Sequence, residues 1–113
     1  MCNCEKKGKT DKERLLGLAG LARRAGRVIL GTPMVCDAMR AGKSVCLVLE
    51  ACDSSANTHK RITDRCAYYG VPHRRIDVEM GELAHALGKD GETAVVAITD
   101  QGLARAVEDL LSP

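Results

Sequence analysis

Apolar positions fall along this chain in two rhythms, stripes that recur every three or four residues and short blocks with no polar break, and their alternation sets the expected architecture. Leu15, Leu18, Ala19, Ala22 and Ala25 recur at helical spacing, with Asp11 and Glu13 near the start, Arg23 and Arg24 near the end and Gly26 as a stop. A first helix from about Asp11 follows, behind a polar, lysine-rich flexible tail over residues 1–10. Val28-Ile29-Leu30 reads as a short strand that breaks at Gly31 into a second helix, where Thr32 can cap and Pro33 suits the first helical position. Val35, Ala38 and Met39 turn that helix towards a core, and Gly42 closes it.

Val45-Cys46-Leu47-Val48-Leu49 and Thr93-Ala94-Val95-Val96-Ala97-Ile98-Thr99 do not alternate, which predicts strands covered on both faces and therefore a sandwiched, parallel sheet. Between them, Asp53-Ser54-Ser55 offers caps for a third helix that runs to Tyr69, buries Ile62, Cys66 and Tyr69, and exposes Lys60, Arg61, Asp64 and Arg65. A strand around His73 to Val78 and a short helix from Met80 to Leu87 come next. Asp100 caps a last helix whose buried stripe is Leu103, Val107, Leu110 and Leu111. The expected fold is one α/β domain over residues 11–113, a three-layer α/β/α sandwich around a four-stranded mixed, largely parallel sheet.

Charge and composition narrow the function. The net charge is only +2, so no bulk electrostatic attraction to nucleic acid operates, but basic residues gather at Lys6 to Lys12, Arg23 to Arg27, Arg40 and Lys43, His59 to Arg65 and His73 to Arg75. With no Trp or Phe and only Tyr68 and Tyr69, the chain lacks the several stacking platforms of a single-strand binder. The start carries no apolar secretion signal and no run is long enough to cross a membrane, so a reducing cytoplasm is the expected location. There Cys46 and Cys66 serve as small apolar residues, and Cys2 and Cys4 make half a metal site with no second pair to complete it. No metal or cofactor is expected.

Catalysis also lacks a scaffold: no Walker loop, no Gly-x-Gly-x-x-Gly after a strand and no Gly-x-Ser-x-Gly elbow occurs. His59, His73 and His85 stand at no spacing that names a cysteine or carboxylate partner. No catalytic residue and no small-molecule substrate are expected. Ligands of open α/β sheets bind beyond the carboxyl ends of strands, so Gly31-Thr32-Pro33, Asp53-Ser54-Ser55, Val78-Glu79-Met80-Gly81 and Thr99-Asp100 form the candidate rim. Helix-start amides and hydroxyls there suit a polyanion held by its backbone.

Leu16-Gly17-Leu18-Ala19-Gly20-Leu21-Ala22-Arg23-Arg24-Ala25-Gly26, Gly31-Thr32, Ala38 to Lys43, Leu47 to Ser55, Asn57-Thr58, Val71-Pro72, Glu82-Leu83, Leu87-Gly88-Lys89 and Val96 to Asp100, in this order, resemble ribosomal proteins of the L7Ae and L30e type. The likeness spans about Leu15 to Leu111 and is greatest to the small bacterial YlxQ-like branch. It implies a non-catalytic, RNA-binding sandwich, with the kink-turn as the family's best-known RNA, and leaves a ribosome or protein partner open. The RNA contacts it implies lie at Gly31, Thr32, Pro33 and Met34, at Asp53 and Ser54, and at Val78, Glu79 and Met80, with Arg40 and Lys43 as added phosphate contacts. The family's kink-turn motif runs Gly-x-Asn-Glu-x-x-Lys, whereas this chain places Pro33, Met34 and Asp37 at the Asn, Glu and Lys positions. Two base-reading groups are thus absent and one cation has become an anion. A protein-interaction module on the same fold, using the apolar Pro33-Met34-Val35, is the alternative reading.

Overall fold

A computed structural model describes the backbone over residues 2–111 and the side chains over residues 12–111. Helix α1 (Cys2–Arg24) begins well before the apolar stripe that predicted it, because Lys and Glu favour helix without an apolar face. The side chains of Cys2 and Cys4 lie outside the described residues. Strand β1 (Val28–Leu30), α2 (Thr32–Arg40), β2 (Leu47–Ala51), α3 (Ala56–Tyr69), β3 (His73–Ile76), α4 (Met80–Ala86), β4 (Val95–Ile98) and α5 (Gln101–Leu111) follow, close to the elements expected.

The strands form one sheet in the order β1-β4-β2-β3. The sheet is mixed, as expected, but not largely parallel: β4 runs antiparallel to both β1 and β2, and only β2 and β3 pair in parallel. Non-alternating apolar strands report burial on two faces and nothing about direction. Direction is decided by the connection, since the segment after α4 returns to where α4 began, with the Thr93 amide donating to the Met80 carbonyl at 3.2 Å. Strand β4 therefore starts at the margin where β3 ended.

Two cores flank the sheet. Leu47, Leu49, Ala51, Val96 and Ile98 pack with Leu15 and Ala19 of α1, Leu83 of α4 and Val107 of α5. On the other face Val48, Val95 and Ala97 pack with Val35, Cys36 and Met39 of α2 and Ile62 and Cys66 of α3. The first layer is drawn tight where a Cβ on Gly20 would stand 3.0 Å from the Ala86 carbonyl, so any other residue there would push α1 and α4 slightly apart. Among the described helices none is long and apolar enough to cross a membrane.

Burial pushes the Cys66 thiol up to about 11, with lesser contributions from Cys36 and Glu50. Its thiolate fraction at pH 8 is then about one in a thousand. Iodoacetamide on the native protein should leave Cys66 unmodified by peptide mass spectrometry, and labelling it in urea should be fast; fast native labelling would contradict this burial.

Candidate nucleic-acid interface

Strands β1 and β2 both oppose β4, and β3 parallels β2, so the carboxyl ends of β1, β2 and β3 share one margin. Backbone bonds stitch that margin together: Gly31 donates to Val95 at 3.0 Å, Ala51 to Ala94 at 2.8 Å and Cys52 to Val78 at 3.0 Å. Gly31–Pro33, Asp53–Ser55 and Val78–Gly81 thus lie along one edge, as expected. Thr99-Asp100 does not join them, because β4 runs the other way and ends at the opposite margin. Arg40 and Lys43 are there too, Arg40 in the last turn of α2 and Lys43 just beyond it, and Arg40 is bonded to Asp37 at 2.9 Å. Two of the cations expected beside the rim are therefore a helix length away from it.

The three helix starts on the rim are not equivalent. Helix α4 is closed by the protein's own carboxylates: the Glu79 and Glu82 side chains form a reciprocal capping box, and Asp53 accepts from the Met80 amide at 2.8 Å. Helix α3 is capped by Ser55, whose hydroxyl accepts from the Thr58 amide at 3.1 Å. Helix α2 has no side-chain cap and no acidic residue in its first turn. Gly31 stands at its N-cap with φ 92°, a conformation that a side chain disfavours, and Pro33 follows in the first turn. Of the three, α2 alone keeps a start with its positive dipole end unmet.

Side chains divide the same way. Val78 is 1% exposed, so its side chain belongs to the core, and the largely buried Ser54 hydroxyl donates inward to Glu50. Met80 packs against the core, while Met34 is 60% exposed beside the open start of α2. Burial raises the Cys52 thiol, and the nearby carboxylates Asp53, Asp77 and Glu79 raise it further, while Arg75 donates to the Cys52 carbonyl at 2.8 Å.

One cluster was not expected. Glu50, wholly buried in β2 on the face covered by α2 and α3, accepts from Ser54, from His59 Nδ1 at 2.8 Å and from His73 Nε2 at 2.9 Å. Burial alone pushes the Glu50 carboxyl up, and the hydrogen bonds from Ser54, His59 and His73 more than reverse this, holding it below the ordinary carboxylate value. His59 and His73 do have a carboxylate partner, contrary to expectation, because α3 and the β2–β3 pairing bring together positions far apart in sequence. The available signal was a carboxylate next to an uninterrupted apolar strand: a charge buried there requires partners. The cluster fastens the Asp53–Ser55 turn, α3 and β3 to the central strand. It acts as a clamp on that strand.

Residues 13–108 match the model of the ribosomal protein L7Ae/L30e/S12e/Gadd45 family. The RNA-binding protein YlxQ of Bacillus subtilis (strain 168) is 40% identical over 94 residues, which cover 83% of this chain and 91% of that protein. The RNA-binding protein YlxQ of Enterococcus faecium is 33% identical over 101 residues, covering 89% of this chain and 94% of the relative. A solved protein of unknown function from Bacillus halodurans C superposes with a TM-score of 0.78 at 32% identity, covering 86% of this chain and 95% of that one. The 15.5kD RNA binding protein of Giardia lamblia superposes with a TM-score of 0.73 at 22% identity, covering 89% and 90%, and shares the fold.

Proposed function

The chain belongs to the ribosomal protein L7Ae/L30e/S12e/Gadd45 family, and from that premise we propose that it is a non-catalytic, cytoplasmic protein that binds structured RNA through the open start of α2. The carrying observation is that uncapped start, free of acids, at the one end of the rim that the carboxylates do not occupy. Phosphate oxygens meet the amides and dipole of α2, and the exposed Met34 packs on a nucleotide turned out of its stack. Names of the YlxQ relatives support RNA as the ligand class. Pro33, Met34 and Asp37, in place of the kink-turn residues, favour an RNA held by backbone and shape over a kink-turn read by its base edges.

Thr32→Glu tests this reading. A carboxylate in the first turn of α2 satisfies the dipole and should leave thermal stability unchanged or slightly raised. Affinity for an RNA selected by the wild-type chain from a random pool should fall about tenfold or more, since one charge-assisted phosphate contact is lost. Unchanged affinity would remove the α2 start from the interface.

A further inference from the structure

On the reading that the ligand is RNA, we propose a second contact on the outer face of α3, in which Arg61 and Arg65 hold backbone phosphates and the Tyr68 ring stacks on one unpaired base. Residues 61, 65 and 68 recur at helical spacing and share one exposed face, about a third of a turn round the helix from the buried Ile62 and Cys66. Arg61 and Arg65 are like charges one turn apart, an unfavourable placement on an isolated helix. Neither makes an ion pair among the described residues, although Asp64 lies within the same turn.

Tyr68 is the most exposed of the large apolar side chains, at 81%. It meets Tyr69 edge to face, with ring centroids 4.8 Å apart and planes at 85°. Tyr69 in turn is partly buried and packs against the core of this layer, so the exposed ring is propped on an anchored neighbour. A ring held in this way stacks a base with little further loss of freedom.

Charge complementarity and continuity favour RNA as the occupant. Along residues 32–43 and 56–69, the helices of this layer and the turn after α2, five Lys or Arg stand against two Asp. Helix α3 also begins on the rim, at Ser55. Arg61 lies about 9 Å and Tyr68 about 20 Å along α3 from that end. Helix α3 thus carries basic side chains from the rim, where Asp53 is turned to the Met80 amide, towards the opposite margin. One stacking ring suits a short unpaired extension of a folded RNA, in keeping with a chain that has too few aromatics for a single-strand binder.

The full chain should be titrated by fluorescence anisotropy with two RNAs of the selected fold, one ending flush and one carrying a 3′ extension of six uridines. Wild type is expected to bind the extended RNA about tenfold more tightly than the flush one. Tyr68→Ala should abolish that preference, Tyr68→Phe should restore it, and both should bind the flush RNA as wild type does, with unchanged melting. Arg61→Gln with Arg65→Gln should lower the salt slope for the extended RNA by about 1.4. Equal binding of the two RNAs by wild type, or loss of flush and extended binding together on Tyr68→Ala, would overturn the proposal and leave the α2 reading standing. Failure of wild type to bind either RNA would overturn both. A concentration-dependent dimer lost on Tyr68→Ala, with RNA binding intact, would assign the face to a second copy of this chain and equally overturn it.

Discussion

Replacing Glu50 with alanine is expected to cost about 3 kcal/mol of unfolding free energy, read as a fall in the urea midpoint at pH 7. The carboxylate is wholly buried and is the common acceptor for Ser54, His59 and His73. Its removal leaves three donors without an acceptor and a gap under α3. The loss is moderated because His59 is partly exposed and can turn to water. The same variant should alter the response to acid. A carboxyl held below its ordinary value of 4.5 in the fold takes up its proton more readily when unfolded. Its contribution is therefore complete above that value and disappears as the pH falls through the lower, folded one. Between about pH 5 and pH 3 wild type should lose stability more steeply than Glu50→Ala, and the difference between the two curves should shrink. Other carboxylates, Glu82 bonded to Lys12 among them, act in both proteins and cancel from that difference. Parallel curves, or an unchanged urea midpoint, would mean that the clamp carries no load.

A gain of kink-turn binding is the second large effect expected. Pro33→Asn, Met34→Glu and Asp37→Lys together restore the Asn, Glu and Lys of the family motif at the mouth of α2. The fold should tolerate all three, because Met34 and Asp37 are exposed and the core contacts of α2 come from Val35, Cys36, Ala38 and Met39. Each restored base or phosphate contact is worth about 1–3 kcal/mol, so the triple variant should bind a kink-turn RNA at least about a hundredfold more tightly than wild type at the same salt. Binding by wild type as tight as by the variant would mean that Pro33, Met34 and Asp37 do not set the RNA choice.

Sequence pattern reached most of the fold because each signal it used was local. Gly26, Gly42 and Gly70 punctuate the helices, and φ of 71°, 77° and 68° at these positions is the conformation that glycine accepts most readily. The stripe Val35, Ala38 and Met39 and the stripe Ile62 and Cys66 are buried as their spacing implies. What escaped was non-local. The direction of β4 depends on the Thr93 to Met80 contact, which no strand periodicity encodes. The distance of Arg40 and Lys43 from the rim follows from the length of α2, not from their position near Gly31 in sequence. At the site, the margin itself was legible from strand–turn–helix order. Which helix start is open was not, since it turns on the long-range bond from Met80 to Asp53. Glu50, His59 and His73 were each visible, but their meeting required the register that places Val48 beside His73.

Ultraviolet crosslinking of the full chain to RNA in cells, with the crosslinked peptides identified by mass spectrometry, tests most directly where the polyanion docks. Crosslinks in the peptides that span Gly31 to Cys36 are expected, with a second set around Tyr68. Crosslinks confined to residues 1–11, to α5, or to the acidic stretch from Asp77 to Glu82 would contradict docking at the open start of α2.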